Sequence, residues 1–202
     1  MIVADIRAKA FGGAPVLRDV RFRVKTGEVL AILGPSGIGK STLLRIVAGI
    51  DGDFDGAVVR PERLAMVFQE PTLLPWRTAA ENLTLVHDGL GRDGALAALA
   101  RVGIRDKADL FPRQLSLGQQ RRVALARAFA GDPEGLILDE PFASLDPVTA
   151  DEMLALTERL IAESRPATLF VTHSEAEASR LATRILRLAG RPATIAPDKE
   201  GR

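Results

Sequence analysis

The chain has 202 residues, 47% of them hydrophobic, enough for one compact unit with a subdomain inserted in it. A net charge of +1 excludes a strong global field for nucleic acid or acidic lipid. Cysteine is absent, so disulfides and thiolate–metal sites are excluded, which suits a reducing cytosol.

The N-terminus, Met1 to Arg7, alternates like a strand. It has no basic region followed by an apolar core, so no signal peptide is expected. No run approaches the roughly 18 uninterrupted apolar residues of a spanning helix, and any membrane role is expected to run through a partner. Ile2–Ala8 and Val16–Val24 read as strands around a turn at Gly12-Gly13, and Val29–Leu33 as a buried strand. That strand leads into Gly34-Pro35-Ser36-Gly37-Ile38-Gly39-Lys40-Ser41-Thr42, and the run Thr42 to Gly49 leads out as an amphipathic helix. Strand, glycine loop and helix together form the context of a nucleoside-triphosphate phosphate loop. The glycines let backbone N–H groups converge on one anion, and the helix N-terminus adds its positive dipole end. Lys40 is expected to reach the β- and γ-phosphates, and Ser41 to hold Mg²⁺ through its hydroxyl.

Short strands are expected at Gly56–Val59 and Leu64–Gln69. Over residues 75–131 strand signals vanish and helical spacing takes over, as in Ala95–Ala100 and in Gln119–Ala130, with Val123, Ala126, Phe129 and Ala130 on one face. The shift predicts a helical subdomain inserted in an α/β unit. A buried strand, Leu136 to Asp139, then a helix Val148–Ile161 between Pro147 and Pro166, a buried strand Thr168–His173 and a helix Ser174–Ala182 capped by Ser174 follow. Residues 1–196 are read as a single domain and 197–202 as a disordered tail.

A phosphate-loop enzyme needs a carboxylate at a strand end for Mg²⁺ and a group to orient or deprotonate the attacking water. Asp139 and Glu140 follow an apolar strand and suit these two roles, although a solvated acidic pair at a strand end is also common. Leu115-Ser116-Leu117-Gly118-Gln119-Gln120 precedes another helix. Serine, glycine backbone and helix N-terminus there amount to a second anion site, usable on another molecule's nucleotide, or to an ordinary N-cap.

Taken together these motifs resemble the ATP-binding cassette (ABC) ATPases over about residues 2–190. The phosphate loop is Gly34–Thr42, Gln69 within Val67-Phe68-Gln69-Glu70-Pro71 matches the glutamine loop, and Leu115–Gln119 matches the family signature. Leu136–Glu140 matches the second nucleotide motif, Ser144-Leu145-Asp146 the aspartate loop and His173 the switch histidine. The resemblance implies a phosphate-loop NTPase core with a mixed sheet, an N-terminal antiparallel β subdomain and an inserted α-helical subdomain. It implies ATP and Mg²⁺ as ligands, Gln69 on the metal or the lytic water, His173 on the γ-phosphate, and Ser116, Gly118, Gln119 and Asp146 acting in trans across a homodimer. Phe11 falls where the family stacks an aromatic on adenine; from the residues alone it is equally a core residue beside a turn. Likewise Gln69 reads alone as a surface amide, His173 as a strand-end histidine and Asp146 as a helix cap. Position 117 departs from the pattern, with leucine where glycine is usual.

Thr72-Leu73-Leu74-Pro75-Trp76-Arg77-Thr78 resembles the same segment in ATPases of nitrate, sulfonate and taurine importers. Its apolar strip reads as a groove for a partner's helix or as local packing. The resemblance implies transmembrane permease subunits and a solute-binding protein as partners, no nucleic acid, and a peripheral place on the cytoplasmic face of the cell membrane. No appended regulatory domain is expected after the switch histidine. Efflux is an alternative within the family. A DNA- or ribosome-acting cassette lacks its coiled coil, second cassette or basic stripe here, and a small phosphate-loop kinase would not explain Leu115 to Gln120.

Overall fold

Backbone pairing follows the hydrophobic pattern closely. In a computed structural model that describes residues 1–196, the elements in chain order are β1 (Ile2–Phe11), β2 (Ala14–Val24), β3 (Val29–Leu33), α1 (Lys40–Ala48), β4 (Asp55–Val59) and β5 (Leu64–Val67). Then come α2 (Ala79–Thr84), α3 (Arg92–Arg101), α4 (Leu117–Ala130), β6 (Gly135–Asp139), α5 (Pro147–Ser164), β7 (Ala167–Thr172), α6 (Glu175–Leu181), β8 (Arg184–Ala189) and β9 (Thr194–Ile195). The tail expected at 197–202 lies outside the described residues. The chain divides into two units, one of residues 1–64, 134–140 and 165 onward, the other of residues 65–133 and 141–164.

The first unit holds two sheets. A three-stranded antiparallel sheet runs β2-β1-β4, with Ile2 opposite Val24 and Val3 opposite Val59. In the second sheet β3 lies between β7 and β8, β7 also pairs with β6, and these pairs are parallel, whereas β9 pairs antiparallel with β8. The expected mixed sheet and antiparallel N-terminal layer are therefore present. β3, β6 and β7 are buried along their whole lengths and are largely apolar, as suits parallel strands covered on both faces; the exceptions are Asp139 at the end of β6 and Thr168 and Thr172 in β7. Helix α1 buries Leu43, Leu44, Ile46 and Val47 and is stopped by Gly49 at φ 78°, whose N–H reaches back to the Arg45 and Ile46 carbonyls.

The second unit is helical beyond β5. Helix α3 packs against α2 and α4, and α4 against α5. Capping boxes start α2, from Thr78 to Glu81, and α4, from Ser116 to Gln119. Asp146 caps α5: its Oδ1 accepts from the Thr149 N–H at 3.1 Å, just before Pro147 at the first helical position. Several bounds differ from the sequence reading. β1 and β2 continue to the turn, since a two-residue connection lets the ladder run to Phe11 opposite Ala14. β5 ends at Val67, short of Gln69, because the chain leaves the strand at Phe68 and bends at Gln69 and Glu70, ahead of Pro71. α4 starts at Leu117 because Ser116 is the cap, and α5 runs on to Ser164 before Pro166.

Asn82 is buried at 2% exposure and spends its whole amide on the segment ahead of α2. Its Oδ1 accepts from the Leu74 N–H at 2.8 Å, and its Nδ2 donates to the Leu74, Arg77 and Thr78 carbonyls. Replacing it strands those groups, so Asn82→Ala should lower unfolding free energy by about 2–3 kcal/mol in a urea titration.

Candidate nucleotide site

The phosphate loop owes its shape to glycines that have no substitute. Gly39 sits at φ 110°, and a Cβ there would lie 3.0 Å from both Val16 Cγ1 and Leu17 Cδ2. The loop is therefore pressed against β2, and a side chain at that point would meet both a strained backbone and crowding from two β2 side chains. Gly37, at φ 74°, has open space where a Cβ would be, so only its conformation demands glycine. Pro35, Ser36 and Gly37 are exposed, and Gly34, Ile38 and Thr42 are half-buried.

Lys40 is the opposite case, a lysine at 5% exposure. Its Nζ donates to the Gly34 carbonyl at 2.9 Å and the Pro35 carbonyl at 3.1 Å, and lies 3.2 Å from Glu140 Oε1. The ammonium thus faces the concave side of the loop, paired with a carboxylate that a phosphate can replace.

β6 delivers Asp139 and Glu140 to the same place. The Ser41 hydroxyl donates to Asp139 Oδ1 at 3.3 Å. Burial pushes the Asp139 carboxyl above its ordinary range, and the Ser41 hydrogen bond only partly opposes this. A buried carboxylate beside a hydroxyl is an oxygen donor set suited to a hard divalent cation such as Mg²⁺. Among the described residues no group of three His, Cys, Asp or Glu side chains gathers for a metal, so water and phosphate oxygens would fill the other positions of such an ion. The residues present fit the group.

Glu140 has φ 43°, a left-handed conformation that costs a non-glycine residue energy. It is held there by its N–H, which donates to the Val171 carbonyl at 3.0 Å, and by its two carboxylate oxygens. Oε2 lies 3.2 Å from His173 Nδ1. His173 follows β7, and the turn after it is tied because the Ser174 N–H donates to Thr172 Oγ1 at 3.0 Å while that hydroxyl donates to Glu177. Phe11, 54% exposed, ends β1. Lys40, Ser41, Asp139, Glu140 and His173 are therefore brought together in the first unit, with the β2 residues next to Phe11's turn packed on the phosphate loop.

Gln69, Ser116, Gly118, Gln119 and Asp146 belong to the second unit. Gln69 is exposed in a bend after β5. Ser116 is exposed and its Oγ accepts from the Gln119 N–H at 3.3 Å, while Gln119 Oε1 accepts from the Ser116 N–H at 3.0 Å, so the Gln119 side chain serves the cap. A Cβ on Gly118 would lie 2.9 Å from Thr149 Cγ2, which fixes α4 close to α5. Leu117 is 43% exposed at the first turn of α4. The hydrogen bond from Thr149 holds the Asp146 carboxyl below its ordinary value.

Two arginines on α4 escaped the sequence reading. Arg121, buried, donates to the Pro141 carbonyl at 2.6 Å and to the Ala143 carbonyl, gripping the segment between Glu140 and Ser144. Arg127 donates to the Thr72 carbonyl at 3.0 Å, the Pro71 carbonyl at 3.2 Å and the Thr72 hydroxyl at 3.0 Å, just past the glutamine segment. Their only signal in the sequence is a cation on the apolar flank of a helix.

Comparison with known proteins agrees with this geometry. The family model described as ABC transporter matches residues 17–143. The chain is 48% identical over 179 residues to the aliphatic sulfonates import ATP-binding protein SsuB 3 of Paraburkholderia xenovorans (strain LB400), covering 88% of this chain and 72% of the relative. It is 46% identical over 187 residues to the SsuB protein of Mycobacterium sp. (strain MCS), covering 90% and 76%. A dimeric ATP-binding cassette solved in a post-hydrolysis state with ADP and Pi bound superposes with a TM-score of 0.83 at 29% identity, covering 98% of this chain and 97% of that one. The chain therefore belongs to the ABC transporter family, as an ATP-binding and ATP-hydrolysing cassette.

Proposed function

We propose that this cassette is the ATPase subunit of a membrane importer, working as a homodimer beneath transmembrane permease subunits on the cytoplasmic face of the cell membrane, with a solute-binding protein as a further partner. Aliphatic sulfonates are the proposed solute class, since that is what the relatives at 43–48% identity are named for. The observation that carries the ATPase chemistry is the gathering of Lys40, Ser41, Asp139, Glu140 and His173 on one loop and two strand ends.

The backbone of Gly34–Thr42 cradles the phosphates. An incoming triphosphate offers Lys40 a stronger anionic partner than Glu140, so the lysine turns to the phosphates and the Glu140 carboxylate is released to accept a proton from the attacking water. His173, next to Glu140, donates toward the γ-phosphate. Mg²⁺, held by Ser41 and Asp139, would neutralise charge developing on the phosphate oxygens. The second copy supplies Ser116, Gly118, Gln119 and Asp146 to the same nucleotide, so that each site is completed only in the pair. ATP favours the closed pair because it touches both halves, and hydrolysis removes those shared contacts. Phe11 stacks on the base. The segment Thr72 to Trp76, where Trp76 stands 68% exposed, is the surface on which a permease helix docks. Among the described residues no helix is long and apolar enough to cross a membrane, so passage of the solute falls to the partner.

Glu140→Gln should lower kcat by about 10²–10⁴-fold while retaining ATP binding. The same variant should run as a dimer on gel filtration with ATP, and a monomer there counts against the shared site. Gly39→Ala should weaken ATP binding at least about ten-fold, because the strained φ and the β2 side chains both resist the methyl group. Binding of a fluorescent ATP analogue measures this, and unchanged affinity contradicts the loop's role. In the source organism, deletion of the gene should abolish growth on short alkanesulfonates as sole sulfur source and spare growth on sulfate; growth on both argues for another solute.

A further inference from the structure

We propose that Lys9 is a positioning residue for the nucleobase: its ammonium holds the ring of Phe11 by one face and leaves the other face for adenine. This rests on the reading of Phe11 as the stacking aromatic, and it assigns to a second residue the job of making that surface rigid.

Phe11 alone is poorly held. It ends a strand, its side chain is more than half exposed, and an exposed ring turns freely about its first side-chain bond. Lys9 is two residues earlier on β1, so both side chains leave the same side of the strand. Lys9 itself is immobile. It is 3% exposed, and its Nζ donates to Asp51 Oδ1 at 3.0 Å, to the Asp53 carbonyl, and to Asp53 Oδ2 at 3.4 Å. Burial works against its charge, yet these acceptors hold the ammonium above its ordinary pKa, so it stays a cation. From this anchored place Nζ lies 4.5 Å from the centroid of the Phe11 ring, within the range of a cation–π attraction. The cation draws electron density from the ring, and an electron-poor ring stacks well against an electron-rich purine.

The surroundings tie the end of this strand to the phosphate loop. A register shift between Lys9 and Ala10 takes the β2 partner from Leu17 to Pro15 and leaves Val16 unpaired in the ladder. Val16 and Leu17 are the residues packed on Gly39. Asp51 and Asp53 follow Gly49, which ends the helix that Lys40 begins. Lys9 therefore ties the strand carrying the aromatic to the far end of the phosphate-loop helix, and fixes the base platform relative to the triphosphate cradle within one unit.

The test compares two ligands by calorimetry on the purified chain with Mg²⁺: ATP, and tripolyphosphate, which has the phosphates and lacks the base. Lys9→Met should weaken ATP binding about two- to five-fold and leave tripolyphosphate binding unchanged. Lys9→Gln, which keeps a donor for Asp51 and so protects the fold, should do the same. Equal weakening of both ligands in both variants would mean a merely structural lysine and overturn the proposal, as would no change in either ligand. Phe11→Ala separates the two levels of the claim. If it leaves the ratio of ATP to tripolyphosphate affinity unchanged, the stacking reading falls and this one with it. If it lowers that ratio and the Lys9 variants do not, only the role of Lys9 is overturned.

Discussion

A buried ammonium with nothing apolar to do dictates the architecture of the catalytic half. Lys40 has been taken out of water at the start of a helix, where the dipole already disfavours a positive charge, and it survives only by finding oxygen. Two carbonyls of its own loop and the Glu140 carboxylate supply it. The pair is an arrangement in waiting: the ion contact is good enough to keep the lysine folded in, and its carboxylate half is replaceable by the ligand the loop is shaped to receive. Glu140 is in turn shared between Lys40 and His173, so a change of partner at the lysine is felt at the histidine without any chain of intermediate side chains.

The backbone carries a matching tension. Glu140 occupies a left-handed conformation that a carboxylate residue does not choose, and the parallel pairing of β6 with β7 imposes it. The strand must end in register, with Asp139 opposite Val171, and the next peptide must turn to give its N–H to the Val171 carbonyl. The sheet thereby holds the carboxylate at an angle that packing alone would not select.

The sequence discloses what depends on local constraint. Strand, glycine loop and helix are written in consecutive residues, so the phosphate loop and the identity of β3 and α1 were readable directly. The same holds for Ser116 and Ser174 as caps, because a cap is satisfied by the residues next to it. The proximity of Glu140 and His173 is of another kind: it follows from which strands are neighbours, and no spacing along the chain reveals that β6 and β7 pair. Lys9, Arg121 and Arg127 were invisible for a related reason. A lone cation in an alternating strand or on a helix flank reads as a solvated side chain, and only carbonyls or carboxylates arriving from distant segments bring it inside. The sequence overextends β5 because the apolar run from Leu64 to Phe68 favours extension, whereas the chain leaves the strand after Val67 and bends at Gln69 and Glu70.

The contact between Gly118 and Thr149 has a consequence for how two copies meet. With no side chain at Gly118, α4 lies down on α5, Asp146 caps the latter, and Arg121 clasps the chain between them. On the proposed pairing, an approaching nucleotide-loaded twin encounters a plate whose shape is already set. On that pairing little disorder would remain to be surrendered on docking, so the attraction of the shared phosphates would go into residence time, and the pair would part as hydrolysis removes those contacts.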